Sequence, residues 1–145
     1  MSSTNTPKFY LIKELANKTQ LSIDTIRFYE KKKLLKPSFR GDNNYRYYDE
    51  NTFKRLMFIK RCRTLDISLS EIETLLELEQ QPSQSCQAVN QLIEQHIKQV
   101  TDKIKELQKF QQQLIQLRAS CSRTETIKSC QILKQLEAAT KEISN

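Results

Sequence analysis

Two hydrophobic periodicities divide this chain. From residue 10 to about residue 80 the apolar positions come in short helical runs broken by turn and capping residues. From residue 86 to residue 120 a single line recurs every seven residues, Ile93, Val100, Leu107 and Leu114. A companion line runs through Val89, His96/Ile97, Ile104, Phe110 and Leu117. Such a seam, held over about four heptads, is the signature of a coiled coil. A lone surface helix would leave that seam in water, so the pattern predicts a homodimer.

The first half reads as a series of small elements. Ile12, Leu15 and Ala16 mark one face of a first helix, and Asn17-Lys18-Thr19-Gln20 breaks the pattern. Ser22 is placed to cap a second helix, IDTIRFYEKKK, because its hydroxyl can accept a free first-turn N–H. Ile23 and Ile26 then face inward toward Leu11 and Leu15. Asp24, Thr25, Arg27, Phe28 and Lys31 lie nearer the outer side. A helical pair with a polar and basic second helix suits the major groove of DNA.

FRGDNNYRYYDE follows. Its Gly41-Asp42-Asn43-Asn44 can take positive φ, and aromatic residues flank it, which predicts a β-hairpin or wing. The hairpin carries Arg40, Tyr45, Arg46, Tyr47 and Tyr48, and arginine and tyrosine on a protruding hairpin suit phosphate contacts. Tyr47, and Tyr45 after it, are expected to pack the wing against the helices. Asp49 can cap a helix from Glu50 to Thr64, with Phe53, Leu56, Met57 and Ile59 inward and Lys54, Arg55, Lys60, Arg61 and Arg63 keeping it basic. Ser68-Leu69-Ser70-Glu71 is a capping box opening a short helix to about Leu78. Beyond the long helix, SRTETIKS reads as a polar loop and CQILKQLEAATKEI as a short amphipathic helix.

The single Gly and three Pro agree with a mainly helical chain, and 37% hydrophobic residues argue against a large globular core. Charge sharpens the picture. Residues 1–65 hold 15 Lys and Arg against 6 Asp and Glu, whereas residues 66–145 hold 9 against 11. The whole positive excess lies in the first half, which points to an anionic partner for that half alone, and nucleic acid fits best. No apolar run approaches the roughly 20 residues of a membrane span. The polar start, MSSTNTPK, does not read as a signal peptide, so a cytoplasmic protein is expected. One histidine, no nucleophile–base set and no phosphate loop argue against an enzyme.

The cysteines pose a geometric question. In one helix, Cys86 and Cys121 would stand about 50 Å apart at roughly 1.5 Å per residue. They can act together only across an antiparallel pair of chains, with Cys86 of one chain meeting Cys121 of the other. Cys130, nine residues after Cys121, returns to the same place. Three thiolates favour soft cations: lead, cadmium and mercury fit better than magnesium, calcium or manganese. Zinc fits if a further ligand completes a tetrahedron. Cys62, on a core-facing helix, reads as a buried structural thiol, and His96 as a seam residue.

TIRFYEKKKLL, NYRYYDE and FIKRCRTLDISLSEI together resemble the MerR family of winged-helix transcription regulators, over nearly the whole chain. CRTLDISLSEI and SCQAVNQLIEQHI resemble its cadmium- and lead-responsive branch. The resemblance implies a dimer bound to double-stranded promoter DNA between elements spaced too far apart for RNA polymerase. Metal binding would change the dimer so that the DNA bends and untwists and the elements align. It also implies DNA contacts by Thr25, Arg27, Phe28 and Tyr29 of the recognition helix. Arg40, Tyr45, Arg46 and Tyr48 would contact DNA from the wing, and Lys60 and Arg61 from the following helix. Cys86, Cys121 and Cys130 would ligate a thiophilic divalent ion, cadmium or lead, with mercury and zinc as alternatives. The His-rich tail of some cadmium-responsive members is absent, and the nine-residue gap also occurs in mercury and lead sensors. A DNA-binding dimer whose thiols sense oxidation is the alternative of another kind.

The expected architecture is therefore mainly α: a tail over 1–8 and a winged helix-turn-helix domain over 9–80. A long antiparallel coiled-coil dimerisation helix follows over 84–120, then a metal-binding loop and short helix over 121–145.

Overall fold

The computed structural model describes residues 8–143, so the tail expected over 1–8 lies, apart from Lys8, outside the described residues. The chain is mainly helical and divides into two units at Val89–Asn90. In the first unit, β1 (Tyr10–Leu11) leads into α1 (Ile12–Thr19), α2 (Ile23–Lys31), β2 (Phe39–Arg40), β3 (Arg46–Tyr48), α3 (Glu50–Thr64) and α4 (Leu69–Glu79). α5 (Gln87–Ala119) carries the chain into the second unit, where a 3-10 turn (Ile127–Ser129) and α6 (Gln131–Ile143) follow.

Capping residues set the helix starts. Ser22 accepts the N–H of Thr25 at 3.0 Å, and Asp49 accepts that of Thr52 at 2.9 Å. The expected capping box closes in both directions: Glu71 N–H donates to Ser68 Oγ, and Ser68 N–H donates to Glu71 Oε1. Each bond satisfies a first-turn donor that would otherwise face water or go unmet. α1 outlasts its apolar pattern by a turn. Asn17, Lys18 and Thr19 are helical, and Thr19 is buried because its hydroxyl donates to the Leu15 carbonyl at 2.8 Å. Gln20, at φ 60, then ends the helix in the left-handed region.

The core of this unit gathers Leu15, Ile26, Leu56, Ile59 and Ile72, all fully buried, around Tyr48. The hairpin forms as expected and gains a third strand: β1 pairs with β3 antiparallel, giving the order β1-β3-β2. Three polar contacts tie β1 to α1 and α3. Lys18 Nζ donates to Tyr10 Oη, and Tyr10 Oη donates to Glu50 Oε2, both at 2.7 Å, with Lys18 3.8 Å from Glu50.

The wing packs through a different tyrosine than the sequence suggests. Tyr48 is fully buried, Tyr47 half-buried and stacked on Phe39 at 5.0 Å, and Tyr45 is 61% exposed. Alternation along β3 explains this, since only one face of a strand meets the core. The turn also differs in its reason. Gly41 does not take positive φ; Asn44 does, at 65°. A Cβ on Gly41 would stand 2.7 Å from Tyr47 Cε2, so close approach of the ring is what calls for glycine.

In the second unit α5 presents its seam to solvent: Ile97, Ile104, Leu107, Phe110 and Leu114 are all exposed, while His96 is buried. Among the described residues no helix is long and apolar enough to cross a membrane.

Substituting Ser68→Ala removes one half of the capping box at the α4 start. The expected loss is about 1 kcal/mol of stability, read as a lower denaturant midpoint with an unchanged slope.

Candidate functional site

The basic surface of the first unit is built on α2, the wing and α3. Ser22 fixes the register of α2, which places Arg27 and Phe28 on the outside, Thr25 partly exposed, and Ile26 and Tyr29 inward. Tyr29 is thus part of the core rather than the outer face. Lys32 Nζ lies 5.6 Å from the Phe28 ring centroid, a cation–π distance on the same face.

The wing is joined to α2 through one carboxylate. Arg46 Nη1 donates to Glu30 Oε2 at 2.7 Å, and Tyr48 Oη lies 3.4 Å from both Glu30 oxygens. Arg46 keeps 42% of its side chain exposed, whereas Glu30 keeps 13%. Burial, and then the Glu30 carboxylate, raise the Tyr48 phenol above its ordinary pKa, so it remains a neutral donor. Arg46 carries five N–H donors, so its bond to Glu30 leaves others for an external acceptor. Arg40, exposed, donates to Asn44 Oδ1 at 3.2 Å across the wing turn. Lys13, Arg27, Tyr45 and Arg46 line a cleft of about 540 Å³ between the wing and the start of α1.

On α3, Arg61 is exposed. Lys60 instead turns back, donating Nζ–H to the Thr19 carbonyl at 2.7 Å, where it satisfies the end of α1. Among the tyrosines and lysines expected at the nucleic-acid surface, the structure therefore gives Tyr29, Tyr48 and Lys60 internal contacts. Glu30, which sequence reading passed over, is the acceptor for Arg46 and Tyr48. Its signal lay in its place at the end of T-I-R-F-Y-E, three residues after Arg27.

The thiols fall into three settings. Cys62 is buried on α3, and burial raises its pKa. Cys86 is exposed immediately before α5. Cys121 and Cys130 come together: their sulfurs are 3.6 Å apart, with the Cys121 thiol donating to Cys130 Sγ. Glu125 Oε2 is also 3.6 Å from Cys121 Sγ. Two local structures make this pair. α5 ends at Ala119, and Arg118 Nη1 donates to the Cys121 carbonyl at 3.1 Å. Cys130 stands at the start of α6, where the N–H groups of Leu133 and Ile132 reach its sulfur.

The same contacts split the two thiols chemically. The N–H of Leu133, and after it the Cys121 thiol and the Ile132 N–H, stabilise a Cys130 thiolate and lower its pKa. Donating to Cys130 holds the proton on Cys121 and raises its pKa. Among the described residues no group of three or more His, Cys, Asp or Glu side chains stands close enough to hold a metal ion. One chain therefore offers two sulfurs at one point, not three.

Alkylation should follow that split. As pH is raised from below the usual thiol range, Cys130 becomes reactive first and Cys121 only at higher pH. Peptide mass mapping of iodoacetamide-treated protein reads the order, and equal labelling at every pH would contradict it.

The model for the MerR HTH family regulatory protein matches residues 10–79, and that for MerR, DNA binding, matches residues 53–117. The chain is 43% identical over 104 residues to the HTH-type transcriptional regulator ZntR homolog of Haemophilus influenzae, covering 72% of this chain and 77% of that protein. It is 41% identical over 110 residues to a probable heavy metal-dependent transcriptional regulator of the same organism, 76% of this chain and 86% of that one. A solved structure, the transcription regulator PbrR691 from Ralstonia metallidurans CH34 in complex with lead(II), superposes with a TM-score of 0.75. That structure is 42% identical, with 88% of this chain and 98% of that one covered. A helix-turn-helix with a tyrosine-anchored wing, a long helix beyond it, and these similarities give one answer: the chain belongs to the MerR family of helix-turn-helix transcriptional regulators.

Proposed function

We propose that this regulator binds promoter DNA as a homodimer and responds to a thiophilic divalent metal ion held by Cys86, Cys121 and Cys130. The observation that carries the reading is the meeting of the Cys121 and Cys130 sulfurs at 3.6 Å, on a chain whose long helix exposes a heptad seam. Two sulfurs are too few for a stable three-thiolate site, and the seam calls for a second chain. In an antiparallel pair of α5 helices, Cys86 of one chain supplies the third sulfur to Cys121 and Cys130 of the other. Two equivalent sites result.

The donor set fits a soft ion. Both cysteines are partly exposed, the N–H of Leu133 lowers the Cys130 pKa below that of an ordinary thiol, and Glu125 is an acidic neighbour. Cadmium or lead suits three thiolates best; mercury and zinc are the alternatives. When bound, such an ion supplies a link between two chains that stronger thiolate binding to one dimer geometry would favour. The lead(II) complex of the PbrR691 relative supports this class of ligand.

On the DNA side, Thr25, Arg27 and Phe28 are assigned to the major groove. Arg40, Tyr45, Arg46 and Arg61 meet the phosphate backbone. Tyr29, Tyr48 and Lys60 hold those elements in place from within. Readout by RNA polymerase follows from the altered spacing of the promoter elements when the DNA is bent and untwisted.

Titration of the full chain with cadmium or lead should give a thiolate-to-metal absorption band that saturates at one ion per chain and is lost in Cys121→Ser. An equal mixture of Cys86→Ser and Cys121→Ser chains should recover about a quarter of the wild-type band, because half of the dimers are heterodimers and each of these keeps one of its two sites. Recovery of none or all of it would remove the crossed arrangement. A disulfide forming with no metal band would replace the metal reading by thiol redox sensing. For DNA, Arg46→Ala should weaken operator binding and lower the slope of log K against log salt by about one, since one phosphate contact is lost.

A further inference from the structure

The pairing of Cys121 with Cys130 is complete within one chain, and that has a chemical meaning separate from any three-thiolate site. Their sulfurs are 3.6 Å apart, both residues are partly exposed, and they bracket a short polar loop that can adjust. Among the described residues no metal-holding group of three side chains forms around them, and Glu125 Oε2 stands 3.6 Å from Cys121 Sγ as an acidic neighbour rather than a third sulfur. Cys86 precedes α5 whereas the pair follows it, so the two places are separated by the 33 residues of that helix. A ligand that needs two sulfurs and no more would be satisfied by this pair alone.

Trivalent organoarsenicals have that demand. The arsenic of a monosubstituted arsonous acid carries one carbon and two exchangeable hydroxyl groups. It bonds two sulfurs at a separation close to that seen here. We propose that the Cys121–Cys130 pair is a bidentate site for monosubstituted trivalent organoarsenicals, independent of Cys86 and of a second chain. In the reaction two As–O bonds break and two As–S bonds form. The two thiol protons leave with the two hydroxyl groups as water, and no atom changes oxidation state. The nine-residue spacing closes the ring without drawing on any distant part of the fold.

The consequence for regulation rests on the function proposed above. An arsenical on Cys121 and Cys130 takes two of the three sulfurs without engaging Cys86. It therefore competes with the metal ion and does not link the chains as the ion would. Such a compound acts as an antagonist rather than an inducer.

The test uses phenylarsine oxide and the full chain, with intact-mass analysis and a count of reactive thiols. Wild type and Cys86→Ser should each take up one phenylarsenic group per chain and lose two reactive thiols. Cys121→Ser and Cys130→Ser should take up none, and two variants guard against misfolding in either one. Loss of uptake in Cys86→Ser, or its survival in Cys121→Ser, would overturn the proposal. Arsenical-treated wild type should also lose the cadmium absorption band. If uptake follows this pattern but the cadmium band does not depend on Cys86, the crossed metal site fails and the arsenical site stands.

Discussion

One carboxylate holds the DNA-binding unit in its working shape. Glu30, near the end of α2, receives Arg46 and lies against the hydroxyl of Tyr48, two residues apart on the same face of β3. Tyr48 is fully buried, so its position is set by the core, and Glu30 is held by what the core fixes. Arg46 is thereby oriented from behind while much of its guanidinium still meets solvent. A partly buried acceptor with charged and neutral donors is a stronger anchor than an exposed ion pair of the same length. α2 and the wing are therefore joined into one surface through Glu30.

Much of this architecture could be read from the sequence because local chemistry decides it. Ser22, Asp49, Ser68 and Glu71 each end up as the capping residues their spacing suggests, and α3 spans Glu50–Thr64 as expected. The hairpin follows from its turn residues. What escaped reading depends on contacts distant in sequence. β1 is only two residues long, has no periodicity of its own, and exists because Tyr10 and Leu11 pair with Tyr48 and Tyr47. Thr19 continues α1 because its hydroxyl is satisfied by Leu15, which composition alone conceals. Which tyrosine of YRYY turns inward is a question of strand register, and that is fixed by pairing on both sides of β3. For the thiols, the short Cys121–Cys130 interval implied a closed loop. It did not show the cap at Leu133 and Ile132 that makes the two sulfurs unlike.

The two units solve opposite problems. The first surrounds a small apolar core with cations and spends several of them internally, as with Lys18 on Tyr10 and Lys60 on Thr19. The second has little core of its own and leaves an apolar seam on α5 exposed along most of its length. Burial of that seam by a second copy would take Ile97, Ile104, Leu107, Phe110 and Leu114 out of water, at roughly 25 cal/mol per Å² of apolar surface.

The Cys121–Cys130 loop also bears on the order of events as the chain folds. Closing nine residues costs little entropy, and the pair needs only the end of α5 and the first turn of α6. The third strand has no such shortcut, since β1 must find β3 across the 38 positions from Tyr10 to Tyr48. Contacts of long sequence separation form late and slowly relative to local ones. The sulfur pair therefore rests on contacts close in sequence, whereas the joining of β1 to the wing rests on contacts distant in sequence.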